Sequence, residues 1–144
     1  MLSSRRGTTI DEESAADLRL TEKFEKANCL FPAEVKLILE DRKNAHTNPE
    51  SELSRIPITN TLEKTLAYVQ AFPQYKNTET AREVRNKLER FEKFRQFEIA
   101  ALASLCPEQA EEAKALVPSI SGLISDEELQ NVLDELNSMK DTQM

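Results

Sequence analysis

Residues Cys106 to Leu136, CPEQAEEAKALVPSISGLISDEELQNVLDEL, are punctuated tightly enough to leave room for little except two short helices joined by an elbow. Pro107 suits a first helical turn, where the missing N–H would lack a partner anyway. Pro118 ends the first run, because a residue preceding proline avoids helical dihedrals. Ser125-Asp126-Glu127-Glu128 then spells a capping box, whose serine and glutamate satisfy orphan N–H groups at the start of a helix. Leu129, Val132, Leu133 and Leu136 follow at spacings of 3, 4 and 7, one apolar stripe on a helix. Such a segment builds a helical unit and offers no catalytic group.

A chain of 144 residues is the size of one domain and can bury about 68% of its unfolded surface. Charged residues make up 31% and there are two glycines, so the surface is polar and turns are few. No apolar run approaches the roughly 20 residues of a membrane span, and the polar start, Met1 to Glu13, does not read as a signal peptide. Cys29 and Cys106 are too few and too distant for a disulfide framework or zinc site, and read as small buried hydrophobes. The net charge of −7 argues against affinity driven by phosphates.

Upstream, Leu18 and Leu20 alternate with charges, the pattern of a short extended segment. Pro32 opens a helix over 33–44, with Val35, Ile38, Leu39 and the Arg42 stem on one face and Leu37 on the other. Apolar residues on two sides predict a second covering surface. Residues 45–57 lack periodicity and read as a linker. A helix over 59–72 turns Leu62, Thr65, Leu66, Val69 and Phe72 inward, and Pro73 stops it. Asn77-Thr78 caps a long helix predicted to run to Leu105, with Val84, Leu88, Phe91, Phe94, Ile99, Leu102 and Leu105 on its main apolar arc. The expectation is an all-α protein of five helices, the last four packed together behind a leading arm. The segments are a flexible tail (1–14), an arm with the first helix (15–44), a linker (45–57) and a helical domain (58–140).

Chemistry-bearing constellations are scarce. His46 sits alone in the linker, without the base, nucleophile or second ligand that catalysis requires. Gly7 and Gly122 stand apart, unlike the clustered glycines of a phosphate loop. The carboxylate pairs lie at helix starts or on polar faces, where nothing drives their pKa values apart. Arg85, Arg90 and Lys93 are exposed candidates for RNA contact, but Glu83, Glu89, Glu92 and Glu98 interleave with the basic residues and favour a solvated helix face. No catalytic, cofactor-binding or metal residue is expected.

Three stretches carry a family resemblance: AADLRL…FEKANCL…AEVKLILEDRK between Ala15 and Lys43, the run from Leu62 to Leu88, and KFRQFEIAALASLCPEQAEEAKALVPSISGLISDEELQNVLDEL from Lys93 to Leu136. Together they resemble the fourth, small stalk subunits of RNA polymerase II, a family with a counterpart in the archaeal polymerase. The resemblance implies an HRDC-like helical bundle behind an arm, and a non-catalytic nuclear protein, possible shuttling to the cytoplasm included. It implies a stalk heterodimer with the seventh subunit, a place in transcription initiation, and contact with factors that process messenger RNA. It assigns the partner interface to Leu18, Leu20, Phe24, Val35, Leu37, Ile38 and Leu39. An autonomous HRDC-like module binding single-stranded nucleic acid is the alternative reading.

Overall fold

The computed structural model describes residues 17–72, 74–75 and 77–141. Over these residues the chain forms seven α-helices and no β-strand: α1 (Glu22–Glu25), α2 (Pro32–Thr47), α3 (Asn60–Ala71), α4 (Thr78–Glu89), α5 (Gln96–Leu105), α6 (Ala110–Leu116) and α7 (Asp126–Asp141). Short 3-10 turns cover Glu52–Arg55 and Pro118–Ile120. The all-α expectation holds. The tail assigned to residues 1–14 and the stop at Pro73 lie outside the described residues.

Local chemistry sets most helix ends. Thr59 and Asn77 accept N–H groups of the first turns of α3 and α4 at 3.1 and 3.2 Å. Ser125 accepts the Glu128 N–H at 3.3 Å, and its own hydroxyl meets the Glu128 carboxylate, so half of the expected box forms through the backbone. Pro107 does not open a helix. It is buried in the loop ahead of α6, which starts at Ala110. Cys106 closes α5 in the left-handed region (φ 45°), a place that favours glycine. Its thiol approaches the Ala103 carbonyl at 3.2 Å and the Tyr75 hydroxyl at 3.1 Å, which offsets the backbone cost.

The long helix expected from Thr78 to Leu105 is two helices. α4 ends at Glu89, the Phe94 N–H turns back to the Phe91 carbonyl at 2.9 Å, and α5 restarts at Gln96. Neither glycine nor proline marks this break, and packing explains it. α5 buries Glu98, Ile99, Ala100, Leu102 and Ala103, several faces of a single helix, so it runs through the bundle rather than along α4's surface stripe. Breaking the helix also lets Phe94 enter the core at 8% exposure.

α2 packs on α3 and α4, α4 on α5 and α7, and α6 on α7. The α7 stripe faces inward: Leu129, Leu133 and Leu136 are fully buried, and Val132 nearly so. Leu66 and Val69 of α3 are buried as expected, but Phe72 is not. It is the C-cap, with φ −122° and ψ 56°, so the helical projection that pointed it inward fails there. The linker expected over 45–57 is also more ordered than its sequence implies. α2 extends to Thr47, and Arg42 donates to the Ile56 carbonyl at 2.9 Å, pinning the turn back on α2.

Candidate partner-docking surface

The segment before α2 is fastened to the bundle by one side chain. Arg85 of α4 pairs with the Glu34 carboxylate, its Nε lying 3.1 Å from Oε2. It also donates to the Cys29 carbonyl at 2.6 Å and to Gln96 Oε1 at 3.0 Å. Its guanidinium stands 5.5 Å from the centroid of the Phe31 ring. Phe31 is fully buried, edge-on to Tyr75, and Glu34 accepts the Phe31 N–H at 3.3 Å. The planar five-donor fork of arginine can serve this many acceptors at once, which a lysine could not. Arg85 therefore has a 12% exposed side chain occupied on every edge, correcting the expectation that it is free for RNA. Sequence reasoning missed it because Glu34 is 51 positions away. Arg90 and Lys93 are exposed, beside grooves that Phe91 shares with Glu128 of α7.

The residues assigned to the interface scatter. Leu18 is buried (5% exposed) with a left-handed backbone (φ 53°), so the extended reading fails at this residue. Leu18, Leu20 and Phe24 form one wall of a cavity of about 430 Å³, and Phe94, Arg95 and Phe97 form the other. Leu20 is half-buried and Phe24 is 61% exposed. On α2, Leu37 packs on the core, Val35 and Leu39 are half-buried, and Ile38 is 52% exposed. Leu30 and Ile38 border a second groove of about 330 Å³ with Ala81 and Arg82 of α4.

Exposed large hydrophobics among the described residues concentrate in the leading half. Phe24, Leu30, Ile38, Leu53, Ile56, Tyr68 and Phe72 all precede α4, and only Leu105 and Leu116 follow it. Tyr68 and Phe72, one turn apart, have ring centroids 5.2 Å apart in the open. Tyr68's place outside the apolar arc of α3 was the available signal for its exposure. Exposed apolar side chains that adjoin, as Tyr68 and Phe72 do, are the kind of surface at which partners dock.

Three ionisable groups stand out. Glu98, read as part of a solvated face, is fully buried, and neither carboxylate oxygen has a hydrogen-bond partner of regular geometry. Burial pushes its carboxyl above the ordinary range, against an opposing pull from the Arg95 backbone amide and guanidinium. Burial likewise pushes up the Tyr75 phenol and the Cys106 thiol, which face each other. His46 is half-buried, with Nδ1 3.5 Å from the Leu53 carbonyl. No group of three or more His, Cys, Asp or Glu among the described residues could hold a metal ion.

These features define an all-α bundle with an N-terminal segment fastened to it by Arg85, and exposed apolar side chains concentrated in the leading half of the described residues. The family model described as RNA polymerase Rpb4 matches residues 29–140. The chain is 40% identical over 137 residues to DNA-directed RNA polymerase II subunit 4 of Arabidopsis thaliana, covering 90% of this chain and 95% of that protein. It is 37% identical to subunit rpb4 of Schizosaccharomyces pombe, covering 91% and 94% respectively, and 36% identical to that of Dictyostelium discoideum, covering 94% of each. The chain belongs to the RNA polymerase Rpb4 family.

Proposed function

We propose that this protein is a non-catalytic subunit of a nuclear RNA polymerase II, and that it pairs with the seventh subunit to form the enzyme's stalk. Membership of the Rpb4 family, together with relatives named as polymerase II subunits, supports the assembly. The single observation that carries the docking assignment is the concentration of exposed apolar side chains ahead of α4, headed by Phe24, Leu30 and Ile38. Exposed apolar side chains gathered in one part of a chain are where a partner would dock.

In this reading residues 15–44 grip the partner and 58–140 form the projecting helical domain. Leu20, Phe24 and Ile38 supply the accessible part of the interface, with Val35, Leu37 and Leu39 supporting it from behind. The protein works by association: it completes the stalk, assists initiation and presents a surface to factors acting on messenger RNA. Replacing Leu20 and Phe24 together by aspartate is expected to abolish co-elution with the seventh subunit on gel filtration while helicity is retained. Unchanged co-elution of the double variant would refute the docking assignment.

A further inference from the structure

We propose that α3 belongs to the partner-gripping part of the chain, and that Tyr68 and Phe72 form a further contact for the seventh subunit beside the arm and α2. The inference rests on the docking role proposed above and moves its boundary from residue 44 to the end of α3. Packing sets α3 apart from the helical domain. Its buried residues, Leu66 and Val69, lie outside the main core, which gathers Phe31, Tyr75 and the inner faces of α4 to α7. α3 packs chiefly on α2, and Gln70 donates to the Glu40 carboxylate at 3.1 Å. Arg42 of α2 donates to the Ile56 and Leu53 carbonyls at 2.9 and 3.4 Å, so the connection is held to the same helix. α2 is therefore shared: Phe31 and Ala33 at its start enter the core, and the remainder carries α3.

Tyr68 lies about 130° round α3 from the Leu66–Val69 face, at 3.6 residues per turn. It is 61% exposed and Phe72 62%, with the two rings side by side. Area argues that the partner uses this face. A standard interface takes about 800 Å² from each side, somewhat more than half of it apolar. At roughly 200 Å² for a whole large side chain, the exposed Phe24, Leu30 and Ile38 together offer about 320 Å². Tyr68 and Phe72 add about 250 Å², which lifts the total past the apolar share. Ile38 and Phe72 each stand two residues from a member of the Gln70–Glu40 bond, so both patches lie at one level of the hairpin. Tyrosine is also among the side chains that most often anchor interfaces.

The test replaces the rings in the full chain and titrates it with purified seventh subunit. Tyr68→Ala combined with Phe72→Ala is expected to raise Kd more than ten-fold, as the loss of an aromatic anchor does. The urea midpoint of the free protein should not move, because both rings are open there. A smaller rise in Kd, or a rise matched by a falling urea midpoint, would overturn the proposal. Tyr68→Ala alone, read against the same threshold, carries the test if the double variant does not fold. The two readings fail separately. A Leu20→Asp/Phe24→Asp variant that still pairs removes the role of the arm, whereas loss of pairing there combined with inert rings removes only α3.

Discussion

Arg85→Ala is expected to cost about 3 kcal/mol of stability. Breaking a buried ion pair from one side costs roughly 3–5 kcal/mol because the remaining charge is stranded. Arg85 and Glu34 side chains are 12% and 19% exposed, so water relieves part of that penalty and the lower end applies. The hydrogen bonds to Cys29 and Gln96 and the Phe31 ring contact are lost in the same step. Against a total stability of roughly 5–15 kcal/mol this is a large fraction. It corresponds to a fall in Tm of about 9 °C at roughly 3 °C per kcal/mol for a domain of this size.

The assay is urea denaturation followed by circular dichroism, with the slope checked so that a shifted midpoint reads as stability. Two companions separate the causes. Arg85→Lys keeps the charge but loses the fork, and should recover less than half of the loss. Arg85→Met combined with Glu34→Gln removes the stranded charge and should be less destabilised than Arg85→Ala alone. A loss below about 1 kcal/mol in Arg85→Ala, or full rescue by lysine, would contradict the view of Arg85 as the fastening of the N-terminal segment.

Glu98→Gln tests the buried carboxyl. A group whose pKa is raised in the folded state binds its proton more tightly there, so wild-type stability falls as pH rises from the unfolded pKa to the folded one. In urea midpoints the glutamine variant should equal wild type near about pH 4 and exceed it at about pH 7, and parallel curves would remove the idea. Leu133→Ala, at a fully buried position of α7, should lose about 3–4 kcal/mol in the same assay. A loss under about 1 kcal/mol would be incompatible with the inward assignment of the stripe.

What could be read in advance was local. The caps at Asn77 and Ser125, and the α7 stripe, depend on residues within one or two turns, where spacing alone fixes the geometry. What could not be read was settled at long range. The break between α4 and α5 carries no local signal, because burial of α5 on several sides overrides helix propensity across 90–95. Arg85 and Glu98 look like ordinary charged residues of a polar helix. One is captured by Glu34 from far upstream and the other is sealed inside the bundle. Of the proposed interface, the apolar residues on two sides of α2 were legible in the sequence, and Phe24 came from the family resemblance. The covering of Leu18 was not, since its seat lies about 76 positions later at Phe94.

These long-range decisions converge on the N-terminal turn of α5. Gln96 receives Arg85, which holds the start of α2. Arg95 and Phe97 line the groove that Leu18, Leu20 and Phe24 border, and Glu98 lies buried one residue further on. Two elements proposed to meet a partner, the arm and α2, thus both adjoin the start of α5, where Arg85 holds Glu34, Cys29 and Gln96 together. A change there touches no exposed docking residue, yet it alters how the docking elements are held. Defects in pairing that arise from Arg85→Ala should then be relieved in part when the stranded charge is removed, as in the Arg85 and Glu34 double variant. Defects from Leu20 or Phe24 should not be, because those side chains are the contact itself. Leu133, buried between α7 and the rest of the core, belongs to neither class. Its loss lowers the whole stability and weakens pairing only through the unfolded fraction.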